Sequence, residues 1–142
     1  MSGGLFISTE GNKCIGIGGG YACDSSRIEI HGGKVEVNVA SVDGCGIGCM
    51  EGECPIVLDN AGIFVDTKIA NGCGIGNLDG RQNVHISNAA VRVTGSGNDV
   101  CGIGTILESD GEIDIQNARI DVIMNGYRVK LLGNAGGGLN LF

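Results

Sequence analysis

The sequence predicts an all-β protein, a parallel β-helix (solenoid) of about five coils of about 28 residues, with three short strands in each coil. Three observations predict it. A four-residue word recurs at a fixed spacing, period-two strands lie between its copies, and 28 of the 142 residues are glycine without a collagen period. We expect residues 1–142 to form a single β-helix domain that is part of a longer solenoid.

The word is Cys-Gly-Ile-Gly, with copies that begin at Cys45, Cys73 and Cys101, 28 residues apart. A related copy begins at Ile15, 30 residues before the first. Because residues two apart on a strand share a face, the cysteine is expected to point inward with the isoleucine. The cysteines should stack as a column of buried structural thiols, with Ile15 below and Val129 above. The two glycines of the word should face outward.

Each coil continues from the word in the same order. A polar loop leads to a first strand that alternates apolar and variable residues, then a turn, a second alternating strand and a Gly-rich loop. The first strands are Ile28-Glu29-Ile30, Ile56-Val57-Leu58, Val84-His85-Ile86 and Ile113-Asp114-Ile115. The second strands are Val35-Glu36-Val37, Ile63-Phe64-Val65, Val91-Arg92-Val93 and Ile120-Asp121-Val122.

The turn between these strands places Asn60, Asn88 and Asn117 at one position of successive coils. Asparagine tolerates a left-handed backbone and bonds locally, so this column is predicted to be a structural ladder. A small residue follows each asparagine, as a tight corner requires.

Both ends of the chain fit the same register. Leu5-Phe6-Ile7 is expected to be the second strand of an incomplete coil, and Leu139-Asn140-Leu141 the first strand of another. Strand edges left open at such ends invite further strands. We therefore expect a piece of a longer solenoid or end-to-end self-association, with a terminus covered by the Gly-rich tail as the alternative.

Charge and hydropathy exclude several classes of partner. The net charge of −7 disfavours nucleic acid as a partner. No apolar run is long enough to insert into a membrane. The start of the chain lacks the basic and apolar regions of a signal peptide, which leaves a cytoplasmic protein or an excised piece.

Four further cysteines lie in or next to loops: Cys14, Cys23, Cys49 and Cys54. Cys49 and Cys54 enclose two glutamates, and three interpretations remain open for them: half a metal site, a loop disulfide or two thiols. Pairing of Cys23 with either one is also open.

The candidate binding residues lie on the outward face of the second strands. Phe64, Glu36, Arg92 and Asp121 are expected to form one column, with Asp66 beside it, because exposed aromatics and charges are suited to sugars or partner proteins. Asp59 and Asp66 are the candidate metal ligands, and calcium is the only cofactor considered. No nucleophile elbow, phosphate loop or metalloprotease helix is present, so we expect no enzyme.

The repeat resembles the glycine-rich Gly-Ile-Gly β-helix repeats of bacterial surface proteins, including carbohydrate-binding β-helix modules of anaerobic Gram-positive bacteria. The resemblance rests on Ile15-Gly16-Ile17-Gly18-Gly19-Gly20 and on the stretch from Ile28 to Val35. Three later words depart from it by having Cys in place of Ala, and three turns by having Asn-Ala in place of Gly-Gly. It implies a right-handed parallel β-helix, secreted or attached to the cell surface, with calcium-assisted polysaccharide binding in some relatives.

Three functions follow as hypotheses. The first is a non-catalytic extracellular or cell-surface module that binds polysaccharide, or another surface protein, along one flank. The second is a structural or adhesive spacer that stacks or polymerises through open coil ends. The third is a fragment of a polysaccharide lyase or hydrolase.

Overall fold

The computed structural model describes residues 4–19, 27–79, 83–108, 111–135 and 138–141. It is a parallel β-solenoid of about four turns of about 28 residues, built from two five-stranded sheets. The parallel β-helix predicted from the repeat is thus confirmed, with fewer complete turns than the five expected. The described part of the chain contains no helix with the length and apolar character needed to cross a membrane.

A long and a short strand alternate along the chain. The long sheet contains β1 (Gly4–Gly19), β3 (Lys34–Glu51), β5 (Gly62–Asp79), β7 (Ala90–Glu108) and β9 (Arg119–Ala135). The short sheet contains β2 (Ile28–His31), β4 (Ile56–Asp59), β6 (Val84–Ser87), β8 (Glu112–Gln116) and β10 (Gly138–Leu141). In each sheet the spatial order follows the order along the chain, so every coil lies on the preceding one.

The predicted three short strands per coil are in fact two, because the second strand and the word form one long strand. β3 has 18 residues, which would span ~60 Å if straight at ~3.3 Å per residue. Residues 52–61 must then return the chain to the start of β5, and they cannot span that length. The long strand therefore bends. Its pairing with β5 is interrupted at Val42, Gly46 and Met50, and these interruptions mark the bends.

Apolar side chains from both sheets fill the interior of the solenoid. The main core includes residues of the short strands, of the first part of the long strands and of the word, all buried: Ile47, Ile56, Leu58, Val65, Ile75, Ile86, Val93, Ile103 and Ile113. These residues occupy the inward positions of the predicted alternation. A unit of this size buries its apolar face only by stacking on its neighbours, so the core is continuous from coil to coil.

The cysteines of the word stack in register, as predicted, but outside the main core. Cys45 pairs with Ile15 and with Cys73, and Cys73 pairs with Cys101. The three cysteine side chains are fully buried and form a cluster of their own. The Sγ of Cys73 donates a hydrogen bond to the carbonyl oxygen of Asn77, four residues on, at 3.1 Å. The Sγ of Cys45 donates in the same way to the carbonyl oxygen of Cys49 at 3.4 Å, so both thiols reach the backbone just beyond their own word.

The orientation of the word's first glycine differs from the expectation. A Cβ on Gly46 would overlap a methyl group of Val65 in the main core, so this glycine faces inward. Ile47 beside it is also in the main core. Since regular strand residues alternate between faces, two adjacent inward positions require the bend described above. The bend also explains why Cys45 and Ile47 do not share the core.

The top of the cysteine column also differs from the prediction. Lys130, not Val129, pairs with Cys101, and its ammonium group donates a hydrogen bond to the carbonyl oxygen of Thr105 at 2.8 Å. Ile113, the partner of Val84, follows Gly104 by nine residues, whereas Val84 follows Gly76 by eight. The pairings of β7 with β9 from Ala90 to Gly104 therefore span 29 residues instead of 28.

The asparagine ladder is confirmed at the turns between short and long strands. Asn60, Asn88 and Asn117 have φ angles of 52°, 49° and 46°, the left-handed conformation that asparagine adopts more readily than most residues. The side-chain amide of Asn117 donates to the Oδ1 of Asn88 at 2.7 Å. The next residues, Ala61 and Ala89, are buried as the corner requires.

Candidate ligand-binding groove

The predicted column of outward residues exists on the long sheet. Backbone pairing aligns Phe6, Glu36, Phe64, Arg92 and Asp121 on the five adjacent strands. Strands in a sheet lie ~4.8 Å apart, so the column runs ~19 Å along the solenoid axis. Four of its members were predicted as ligand contacts, and the prediction that they form one column is confirmed.

A second row lies two residues earlier on each strand and faces the same side. It consists of Gly4, Lys34, Gly62, Ala90 and Arg119. The two rows line one open groove with a cavity volume of about 580 Å³, and we call it the flank groove. Small residues in the middle of the second row leave a depression beside the larger side chains of the column.

Two phenylalanines give the groove its apolar surface. Phe6 is 62% exposed, and Phe64 is half-buried two strands away. The guanidinium carbon of Arg92 lies 5.9 Å from the centroid of the Phe64 ring, within the range of a cation–π interaction. Glu36 lies in the column between the two rings.

Sequence reasoning did not include Lys34 among the candidate binding residues, although Lys34 and Arg119 both line the groove. The signal was available, because each stands two positions before a column residue and period-two alternation places them on the same face. They follow the turn directly. In the two middle coils the same position is glycine or alanine, so the sequence does not show a repeated charged position there.

A neighbouring concave surface continues the groove around the corner of the coil. It is lined by the asparagine ladder and shares Gly62, Ala90 and Arg119 with the flank groove. The exposed amides of Asn60, Asn88 and Asn117 therefore lie beside the row of the groove that contains these shared residues. Amide groups donate and accept hydrogen bonds, as does a sugar hydroxyl.

Asp66 lies two residues beyond Phe64 on β5, outside the residues that line the groove. The hydroxyl of Thr94, on the next strand, donates a hydrogen bond to its Oδ1 at 2.8 Å. This carboxylate therefore contributes to pairing between coils at the border of the groove.

Asp59 lies on the short sheet, away from that groove. Its Oδ1 accepts a hydrogen bond from the hydroxyl of Ser87 at 2.7 Å, and its Oδ2 lies 3.6 Å from Nδ1 of His31. The hydrogen bond from Ser87 holds the pKa of Asp59 below its ordinary value, with Asn88 and His31 acting in the same direction.

The two candidate metal ligands are thus on different sheets, and each has a partner from another coil. Among the described residues, no group of three or more His, Cys, Asp or Glu side chains is placed to hold a metal ion. The geometry gives no support to a calcium site at Asp59 and Asp66.

The structure describes three of the four remaining cysteines. Cys49 and Cys54 are buried in the main core, and Cys14 is half-buried. The six cysteines in the described ranges are all present as thiols, which does not support the loop disulfide. Cys23 lies outside the described residues.

Comparison of the chain with protein-family models, with curated proteins and with solved structures found no match.

Proposed function

We propose that this protein is a non-catalytic module, outside the cell or at the cell surface, that binds polysaccharide in the flank groove. The observation that carries the proposal is the alignment of Phe6 and Phe64 in one open groove with charged side chains between and beyond them. An aromatic ring offers an apolar face to the C–H side of a sugar, and nearby polar groups can bond its hydroxyls.

The shape of the groove favours a chain-like ligand over a compact one. It crosses all five long strands, and it is open along its length instead of closing into a pocket. Phe6 and Phe64 are two strands apart, ~10 Å at the usual strand spacing, so their rings can contact separate units of one chain. The asparagine amides at the adjoining corner add groups that suit hydroxyls.

Loss of the Phe64 ring is expected to weaken polysaccharide binding at least about tenfold, the scale of one buried aromatic contact at an interface. The measurement is affinity gel electrophoresis against a panel of soluble plant and bacterial polysaccharides, with pull-down on insoluble ones. Phe64→Ala and Phe6→Ala should each reduce the retardation that the wild-type protein shows.

Tyr127→Ala is the matched control, because Tyr127 is 84% exposed on β9 and does not line the groove. Circular dichroism should confirm that all three variants keep the β-sheet signal. Absence of binding to every polymer would contradict the proposal, as would binding that neither phenylalanine variant alters.

A second candidate function, self-association through the end of the long sheet, is favoured by a different observation. β9 is the outermost strand of that sheet, and it exposes several apolar side chains: Ile123, Tyr127, Val129 and Leu131. A second copy of the chain that pairs along β9 would cover them and continue the parallel register. This candidate assigns the protein a role as a stacking spacer.

If copies stack in this way, the sedimentation coefficient should rise with protein concentration, and Ile123→Lys with Val129→Lys should abolish the rise. Charges at an edge strand oppose strand pairing. Val42→Lys is the control, since Val42 is 51% exposed but lies on β3 inside the sheet. A wild-type sedimentation coefficient independent of concentration would remove this candidate.

A further inference from the structure

We propose that the cysteine column binds a soft monovalent metal ion, Cu(I), between the thiolates of Cys73 and Cys101. These side chains are fully buried and do not line the flank groove, so the inference goes beyond the proposed function and does not depend on it. It follows from the spacing of the thiols, from the number of ligands they offer and from the lysine at the end of their column.

The thiols of the column repeat at the spacing of the strands. Cys45 pairs with Cys73 and Cys73 with Cys101, and the three side chains form a buried cluster of their own. Cys45 and Cys73 each donate to the carbonyl oxygen four residues on, so their side chains point the same way in successive coils. Neighbouring sulfur atoms are therefore ~4.8 Å apart, the usual distance between paired strands.

This spacing suits an ion that binds two sulfur atoms on opposite sides. A bond between a thiolate and a d10 metal ion is ~2.3 Å long, so two such bonds in a line separate the sulfur atoms by ~4.6 Å. An ion midway between two neighbouring thiols of the column thus requires almost no displacement of the two strands.

The number of ligands selects the metal. Within the ranges that the structure describes, no group of three or more His, Cys, Asp or Glu side chains is placed around one ion, so each level of the column offers a pair of sulfur ligands. Structural zinc requires four ligands, and calcium requires six to eight oxygen atoms. Thiolates select soft ions, and among these Cu(I) accepts two ligands in a line.

The charge of the occupied site is balanced by Lys130. Both thiols release their protons to solvent when the ion binds, so one Cu(I) replaces two protons and the pair acquires a net charge of −1. Lys130 pairs with Cys101, and its half-buried side chain places the ammonium group 2.8 Å from the carbonyl oxygen of Thr105. In the two coils below, the carbonyl at this position accepts from the thiol of its own word. The ammonium group therefore lies beside the Cys101 thiol, where it stabilises the negative charge.

The other end of the column lacks this advantage. There Cys45 pairs with Ile15, an uncharged residue. The pair of Cys73 and Cys101 is therefore favoured over the pair of Cys45 and Cys73.

The experiment titrates the reduced, metal-free protein with Cu(I) under anaerobic conditions, in competition with the chromogenic chelator bicinchoninate. Because the thiols are buried, each mixture is incubated until the reading is constant. The four cysteines outside the column can also bind Cu(I), so the result is read as a difference between variants. We expect Cys73→Ser to lose one bound ion per chain, because Cys45 and Cys101 are two strands apart, ~9.6 Å.

Cys45→Ser is the matched control. It makes the same substitution in the same buried column but leaves the proposed pair intact, so it should bind as many ions as the wild-type protein. Lys130→Met keeps an unbranched side chain and removes the charge, and it should weaken the binding of this ion about tenfold. Circular dichroism should confirm that the variants keep the β-sheet signal.

X-ray absorption at the copper edge, with one equivalent bound, tests the wild-type protein without any variant. Two sulfur neighbours at ~2.3 Å are expected. Three or more sulfur neighbours would overturn the inference. So would equal numbers of ions bound by wild type and Cys73→Ser, loss of the ion in Cys45→Ser, or unchanged affinity in Lys130→Met.

Discussion

Gly48→Ala is expected to prevent folding or to lower the free energy of unfolding by more than ~4 kcal/mol, an exceptional effect for one methyl group. Gly48 has a φ of 148°, a region that side chains rarely adopt, and a Cβ there would overlap the carbonyl oxygen of Gly76 on the next coil. Both obstacles are backbone, so relief requires the two coils to separate. Urea unfolding followed by circular dichroism measures the loss.

Gly62→Ala is the matched control for this prediction. A Cβ on Gly62 would meet only the Cγ of Lys34, at an ordinary 3.6 Å, and the next coil already has alanine at the paired position, Ala90. Its free energy of unfolding should stay within ~0.5 kcal/mol of the wild-type value. Similar stabilities for the Gly48 and Gly62 variants would contradict the packing described for the word.

The second large effect concerns the cysteine column at alkaline pH. Burial raises the pKa of the Cys73 thiol well above its ordinary value, and the adjacent thiols of Cys101 and Cys45 raise it further. In the unfolded chain the thiol loses its proton near pH ~8.5. The stability associated with the neutral buried thiol is therefore complete below that pH and is lost as the pH rises towards the folded pKa.

Over that range Cys73 should reduce the free energy of unfolding by about 1.4 kcal/mol for each pH unit. Cys73→Ala removes the titrating group, so the difference in stability between wild type and variant should change at this rate. Urea unfolding at several pH values from ~8 to ~10 gives the slope. Cys73→Ser should give the same slope with a different absolute stability, which separates ionisation from packing. A difference independent of pH would refute the prediction.

The repeat spacing was sufficient to predict the stacking of coils. Because Cys45, Cys73 and Cys101 are equally spaced, they pair in register, and the columns that depend on this register follow, including the one through Phe64. The left-handed turn of Asn60 was predictable for the same reason, since its residue type recurs at a fixed position. The repeat period and the residue type are therefore sufficient to predict those features that depend on the stacking of one coil on the next.

Features that depend on local departures from the period could not be predicted. The extra residue between Gly104 and Ile113, the partner of Val84, shifts the last coil, so that Lys130 takes the position expected for Val129. The inward orientation of Gly46 arises from a bend within a strand, and period-two reasoning assumes a straight one. The residue type of a glycine does not indicate which face of a strand it lies on, because glycine has no side chain that favours either the core or the solvent.

The candidate site was predictable as a column but not as a groove. Phe64 and Arg92 stand out in the sequence by their residue types. The depth of the groove beside them comes from Gly62 and Ala90, because these residues have little or no side chain to fill the space. Whether Arg119 has an ion-pair partner among the described residues depends on the three-dimensional arrangement of the chain, which a linear sequence does not show.

The constant separation of paired residues has a consequence for how this chain folds. All long-strand pairings join residues 27 to 30 positions apart, so closing each successive turn costs nearly the same chain entropy. Within the described ranges, each strand pairs only with strands of the neighbouring coils. Folding can therefore nucleate between any two neighbouring coils and spread in both directions, with the outermost coils the first to open.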